Sequence, residues 1–369
     1  MTQLPDLNAL SAYEYELPQE LIATEPANPR DSAKLMCVRG SQRSHHIFRD
    51  IEFLLNPGDL IVVNDVTVQR ARFFAQRKTG GRVEVLITDD AAKLTRTLKC
   101  LWKANHKIPE NEELTCENDP SVHFTLKKET SSEENADALG SITFLGDEPV
   151  IEILSRIGEL PLPPYIRKRR QLEGNPMYND RDDEDYQTVY AKEGAAVAAP
   201  TAGLHFTSEL LERLAAKNIR MQRLRLDVGP GTFRPIRAEH LSDHNMHTEH
   251  YYISESLKND IEATRARGNR IVAVGTTVVR SLEDQAQRFG KIVPGEYDTN
   301  IFIKPGHQFK MIDAMVTNFH LPGSTLMVLV SAFAGYQNIC DAYREAVENR
   351  YHFYSYGDAM LLFPENADE

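Results

Sequence analysis

The densest polar run in this sequence is Thr317-Asn318-Phe319-His320-Leu321-Pro322-Gly323-Ser324-Thr325, set between two apolar stretches. An amide and an imidazole so close together can read a nucleobase edge through paired donors and acceptors, and Phe319 between them offers a face for stacking. A second imidazole, His205, lies in Pro200 to Thr207 (PTAGLHFT), a small-residue turn after the apolar run Ala195 to Ala199 and before a helical pattern at Ser208. Gly203 in that turn lets the backbone approach a ligand. The same arrangement recurs at Asp227-Val228-Gly229-Pro230-Gly231-Thr232-Phe233-Arg234, where Gly229, Gly231, Thr232 and Arg234 are candidate binding groups. Asp227 ends the strand there, as a carboxylate able to act as a base or face a cation. It recurs again at Gly275-Thr276-Thr277, after Ile271 to Val274 and before a helix through Glu283, where amides and hydroxyls suit a ribose or an amino-acid carboxylate. His240, His244, His247 and His250 fall within eleven residues, and the first two have the spacing of one helical face. With no cysteine nearby and with Asp243 and Glu249 among them, acid–base and hydrogen-bonding work is expected rather than a metal site.

Groups so far apart in sequence need a scaffold that brings strand ends together. Downstream of residue 156, helical patterns alternate with short apolar runs, the pattern of an α/β domain with a mostly parallel sheet. Ligands of such domains bind outside the carboxyl ends of the strands. Helices are expected at Ser208 to Lys217, with Thr207 or Ser208 as cap, and at Ser256 to Arg267, with Gly268 at its end. Strands are expected at Met221 to Val228 and Arg270 to Val274. The chain opens with a helical Leu17 to Ala23, a strand at Lys34 to Arg39, a turn at Asn56 to Asp59 and a buried strand at Leu60 to Asn64. From Val66 to Ser155 the texture changes to short alternating segments between Gly, Asn, Asp and Pro clusters, which predicts a small β-barrel. Residues 1–65 and 156–369 are therefore expected to form one discontinuous α/β domain interrupted by a barrel of residues 66–155. The polar stretch Lys128 to Asp137 reads as an exposed hairpin loop.

A chain of 369 residues is long enough for two domains. No apolar run reaches membrane-spanning length, and the start of the sequence lacks the basic and apolar regions of a secretory signal. Four scattered cysteines without a CxxC pair read as free thiols, so a cytoplasmic location is expected. A net charge of −12 excludes a protein that coats nucleic acid over its whole surface. It leaves room for a local basic patch, and the run Arg167-Lys168-Arg169-Arg170 is the leading candidate.

Taken together, PTAGLHFT, VGPGTF (Val228 to Phe233), MHTE (Met246 to Glu249), GTTVVRSLE (Gly275 to Glu283), TNFHLP (Thr317 to Pro322) and SYGDAM (Ser355 to Met360) closely resemble the S-adenosylmethionine:tRNA ribosyltransferase-isomerase family of queuosine biosynthesis. The resemblance runs from about Leu17 to Leu361. It implies an α/β domain with an inserted small β-barrel. It also implies transfer and isomerisation of the ribosyl group of S-adenosylmethionine onto 7-aminomethyl-7-deazaguanine at the tRNA wobble position, with adenine and methionine as products. No metal or separate cofactor is implied, because S-adenosylmethionine is consumed as a substrate. The partners are then that tRNA and S-adenosylmethionine, with no membrane and with the chain acting as a monomer. On this reading His205, Asp227, His247 and His320 are the acid–base candidates. Gly203, Gly229, Gly231, Thr232, Arg234, Glu249, Gly275, Thr276, Thr277, Asn318 and Phe319 bind substrate, and Arg72, Arg167, Lys168, Arg169 and Arg170 meet the tRNA. Departures stand at Asp227, where the family usually has histidine, at Thr67 and Arg70 (arginine and proline in the family), and at His352 (arginine). The alternatives are another S-adenosylmethionine-dependent RNA modifier, such as a methyltransferase, and a catalytically silent RNA-binding relative.

Overall fold

The computed structural model describes residues 5–92, 95–129, 138–229 and 238–365. Its centre is a nine-stranded sheet. In spatial order the strands are Gly295–Thr299, Glu249–Ile253, Arg220–Asp227, Leu60–Asn64, Ile271–Val274, Ala314–Asn318, Ala359–Leu362, Lys34–Arg39 and Gln42–Ile47. The four strands from Arg220–Asp227 to Ala314–Asn318 are mutually parallel. Antiparallel neighbours flank them on both sides, so the sheet is mixed, with its parallel part in the middle. The edge strands Gly295–Thr299, Glu249–Ile253 and Gln42–Ile47 are largely polar, and strand direction is not written in an apolar run, which is why the sequence pattern pointed to a mostly parallel sheet.

Period-two alternation sends successive side chains to opposite faces. Leu60, Val62, Ile271, Ala273, Met315 and Met360 pack on one face against the helices Glu255–Ala266, Thr276–Phe289, Thr325–Ala334 and Tyr336–Glu348. Ile61, Val63, Val272, Val274, Val316 and Leu361 pack on the other, with Phe48, Phe206, Leu210 and Leu214. Both faces are covered, as a parallel core requires. The helix Ser208–Ala216 begins where expected, the Thr207 hydroxyl accepting from the Leu210 amide at 3.2 Å. Gly268, at φ 74°, follows the helix Glu255–Ala266. The expected helix at Leu17 to Ala23 is only a single 3₁₀ turn at Gln19–Leu21, with Pro18 immediately before it.

The strands Arg72–Gln76, Arg82–Ile87, Thr97–Ala104, Glu113–Cys116, His123–Lys128 and Ala138–Phe144 close into an antiparallel barrel. Phe73, Val85, Leu98, Trp102, Phe124 and Phe144 fill it, and the helix Val150–Ile157 packs on that core. Gly140 is required there, because a Cβ would lie 2.1 Å from the Lys127 carbonyl and 2.8 Å from the Trp102 ring. Most of the expected hairpin loop, residues 130–137, lies outside the described residues. Asn64 ends its strand by continuing the ladder with its side chain, donating to the Leu226 carbonyl at 3.0 Å and accepting from the Leu226 amide at 3.1 Å. Among the described residues no helix is long and apolar enough to cross a membrane.

Candidate active site

A cavity of about 340 Å³ opens at the carboxyl ends of the central parallel strands. Ile271–Val274 leaves the sheet at Gly275, whose φ of 89° turns the chain directly into the helix Thr276–Phe289. That helix start has no side-chain cap, so its first amides have no partner within the helix. Ala314–Asn318 leads through Phe319 to Pro322 into the helix Thr325–Ala334, capped by the Ser324 hydroxyl. Both helix starts line the cavity, together with residues 198–202 and Val228. The Thr277 hydroxyl is buried there and has no hydrogen-bond partner among the described residues.

Asn318 ties this site together. Its Oδ1 accepts from the Thr201 hydroxyl at 3.0 Å, and with the amide so oriented its Nδ2 donates to His205 Nε2 at 3.1 Å. The proton of neutral His205 is then on Nδ1. His205 stacks on Phe48 with ring centroids 4.9 Å apart, behind the cavity wall rather than in it. Burial, assisted by the charge of Arg30, lowers its pKa to about 4. His205 therefore positions Asn318. His320 does line the cavity: its Nε2 pairs with the Thr317 hydroxyl at 2.8 Å, and burial lowers its pKa to about 3. Its backbone is clamped by the hydroxyls of Tyr343, which accepts from the amide at 2.8 Å, and Tyr15, which donates to the carbonyl at 2.5 Å.

These two imidazoles make the fold acid-labile. The unfolded chain protonates them near 6.5 while the folded chain does not, so the unfolded state gains protons, and stability falls, as the pH drops from 6.5 towards 4 and 3. His205 alone is expected to cost about 2 kcal/mol between pH 7 and pH 5. Urea midpoints of the native protein and a His205→Gln variant at the two pH values check this; the variant should show the shallower fall.

The structure moves the stacking role away from Phe319. That ring is fully buried, with centroids 5.3, 5.4 and 5.1 Å from those of Tyr343, Tyr351 and Phe353, so it anchors its loop to the core. Gly203 also has another use than expected, since a Cβ there would overlap the Tyr190 hydroxyl at 2.0 Å. Tyr165, Tyr186 and Tyr354 line the same cavity as Phe319, Tyr186 as fully buried as Phe319 itself, and no motif marks these three as ligands in the sequence. Tyr354 holds φ at 73°, a backbone region that bulky residues avoid. Its amide donates to the Phe319 carbonyl at 3.1 Å, and its ring lies 4.5 Å from that of Tyr165. Such strain clusters at functional sites, and a sequence does not display it.

The other expected residues lie elsewhere. Asp227 is half-exposed at its strand end, 3.8 Å from Arg225 Nε and one residue before the cavity-lining Val228. His247 is exposed, and His240 and His244 flank a 3₁₀ turn rather than sharing a helical face. Glu249 is buried in an ion pair with Arg280. Gly229 ends a described segment, and Gly231, Thr232 and Arg234 lie outside the described residues. No group of three or more His, Cys, Asp or Glu among the described residues is placed to hold a metal ion.

The basic run is largely committed to the protein. Arg170, 3% exposed, donates to both Asp182 oxygens at 2.6 and 2.8 Å and to the Thr24 carbonyl at 2.9 Å. Arg169 pairs with Glu173 at 2.8 Å. Arg167 and the buried Arg72 share Glu84 of the barrel, at 2.6 and 3.2 Å, and Arg72 also donates to the Leu162 carbonyl at 2.8 Å. Burial and the charge of Arg167 lower the Arg72 pKa to about 10. Lys168 projects from the same helix into solvent.

Known proteins match this chain over nearly its whole length. The sequence family described as "Queuosine biosynthesis protein" matches residues 10–362. A protein of Pelobacter propionicus named S-adenosylmethionine:tRNA ribosyltransferase-isomerase is 43% identical over 95% of this chain and 98% of its own length. One of the same name from Symbiobacterium thermophilum is 46% identical over 96% of this chain and 99% of its own. A crystal structure of S-adenosylmethionine tRNA ribosyltransferase from Thermotoga maritima, 34% identical, covers 95% of this chain and 99% of its own at a TM-score of 0.52. With PTAGLHFT, GTTVVRSLE and TNFHLP meeting at strand ends and helix starts around one cavity, and with relatives matched over nearly their full length, the chain belongs to the queuosine-biosynthesis family of S-adenosylmethionine:tRNA ribosyltransferase-isomerases.

Proposed function

We propose that this enzyme transfers and isomerises the ribosyl group of S-adenosylmethionine onto 7-aminomethyl-7-deazaguanine at the wobble position of tRNA, giving epoxyqueuosine, adenine and methionine. The observation that carries this reading is the cavity at the parallel strand ends, built by the GTT and TNFHLP motifs. S-adenosylmethionine is placed there as a substrate, without metal or separate cofactor. Its carboxylate is assigned to the helix start at Thr276 and Thr277, where amides without partners in the helix and the positive end of the helix dipole favour an anion.

The sulfonium acidifies the ribose C5′ hydrogens, so a neutral base has to take one. His320 is the imidazole on the cavity wall and is held unprotonated by burial. Once it carries the proton its imidazolium is a strong acid, suited to pass that proton to departing adenine. Asn318, fixed by Thr201 and His205, is assigned to a polar edge of the substrate. Asp227 and His247 are assigned to the side where the tRNA amine arrives and sheds its proton. Lys168, free on the surface of the helix that begins beside Tyr165, is assigned to tRNA phosphate. The enzyme is taken to act as a cytoplasmic monomer.

The test is an incubation with ribose-labelled S-adenosylmethionine and an anticodon stem-loop bearing the aminomethyl base. Ribosyl label in the RNA with release of adenine and methionine is expected. Formation of S-adenosylhomocysteine would instead identify a methyltransferase, and RNA binding without turnover a silent relative.

A further inference from the structure

The cavity has to accept a cation, yet among the described residues no Asp, Glu, Lys or Arg lines it. Bringing a sulfonium out of water into such a space is costly unless something compensates the charge. Of the groups around the cavity, the helix starts at Gly275 to Thr277 and Ser324 to Leu326 present the positive ends of helix dipoles and repel it. The side made by Ala198, Ala199 and Val228 offers only methyl groups. Beside the neutral polar groups of Thr201, Thr317, Asn318, His320 and Ser355 stands the wall of Tyr165, Tyr186 and Tyr354, whose ring faces carry negative electrostatic potential.

This wall is built to stay in place. Tyr354 is held in its left-handed conformation, φ 73°, by its own amide on the Phe319 carbonyl and by the Gly357 amide, which donates to the Tyr354 carbonyl at 3.0 Å. The Tyr165 hydroxyl bonds that of Ser355 and accepts from the Ser355 amide at 2.9 Å, which fixes the ring by its polar end. The two rings meet at 4.5 Å and an inclination of 53°, an angled pair rather than a closed stack. Burial pushes the Tyr165 phenol up to about 12, so the rings act as neutral quadrupoles.

We infer that Tyr354 and Tyr165, backed by Tyr186, hold the sulfonium of S-adenosylmethionine by cation–π attraction. They thereby direct the methionine carboxylate to the helix start opposite and expose C5′ towards His320. The inference rests on the cavity being the S-adenosylmethionine site. It makes the tyrosines determinants of charge selectivity, distinguishing the sulfonium from the uncharged thioether of S-adenosylhomocysteine, which has nearly the same shape.

Equilibrium binding of both compounds to the intact enzyme tests it. Tyr354→Leu and Tyr165→Leu should each weaken S-adenosylmethionine about 3- to 30-fold while changing S-adenosylhomocysteine far less. Tyr354→Phe should keep the preference for the cation. If leucine variants do not fold, stepwise fluorination of a phenylalanine at position 354 removes ring charge with little change of shape. It should weaken the sulfonium compound progressively and the thioether hardly at all. Equal loss for the two ligands, or a flat fluorination series, overturns the sulfonium assignment while leaving the S-adenosylmethionine site standing. Failure of the native enzyme to bind S-adenosylmethionine overturns both.

Discussion

Asn318→Ala is expected to lower kcat/KM by about 100- to 1000-fold, the range seen when one preorganised polar group is removed from an active site. Asn318 is 3% exposed and its two side-chain atoms are both spoken for, by Thr201 and His205. Removing the amide leaves a buried hydroxyl and a buried imidazole without partners and frees the wall of residues 198–202 to shift. The more telling variant is Asn318→Asp, which keeps the shape but replaces the donor to His205 Nε2 by an acceptor. His205 can then remake the bond by moving its proton from Nδ1 to Nε2 or by taking up a second proton, which the added carboxylate favours. Asn318→Asp should accordingly place a negative charge on the cavity wall, lower activity at neutral pH and give a pH dependence that differs from that of the native enzyme. Steady-state kinetics between pH 5.5 and 8 decide it: a parallel profile for native and variant enzyme would remove Asn318 from the site.

Asp182→Ala should cost about 3–5 kcal/mol of stability, the usual result of leaving a buried charge unpaired. Arg170 and Asp182 are 3% and 1% exposed, and Asp182 also accepts from the Asn179 amide at 2.8 Å. The pair thus fastens the helix Pro164–Leu172 both to the segment around Asp182 and, through Thr24, to the N-terminal region. Replacing both partners by leucine should recover much of the loss, because no charge is then stranded. Lys168→Ala, two residues away and exposed, should change stability by no more than about 0.5 kcal/mol. Urea denaturation measures all three. The contrast separates two neighbours in one basic run, one holding the protein together and the other exposed to solvent.

That contrast also marks how far the amino-acid sequence can be read. The strand Leu60–Asn64, the barrel segments that follow it and the helix starts at Ser208 and Thr276 are legible because each rests on local rules: apolar period, turn glycines, a threonine or serine cap. The convergence of Gly275 and Asn318 on one cavity is legible at one remove, through the rule that parallel strands carry ligands at their carboxyl ends. Partner choice is not local. Nothing near Arg170 in the chain reveals that Asp182 closes over it, and nothing near Phe319 shows three aromatic rings waiting in the core. Tyr165, Tyr186 and Tyr354 become one wall only after the fold has joined them, and the twist at Tyr354 belongs to the backbone rather than to the residue type.

The strand Ala359–Leu362 is wedged between Ala314–Asn318 and Lys34–Arg39. It is the only link between the N-terminal hairpin and the rest of the sheet among the described residues. The Asp358 carboxylate seals the joint by accepting from the amides of Lys34 and His352, both at 2.7 Å, and the first of these lies 324 residues away. During synthesis the barrel, whose strands pair mostly with near neighbours in sequence, can close while the ribosome is still at work. The hairpin Lys34–Ile47 must wait through nearly the whole of translation with an unpaired edge, open to capture by another nascent chain or by a chaperone. A ribosome stalled before codon 359 would release a polypeptide with a finished barrel and an unfinished catalytic sheet.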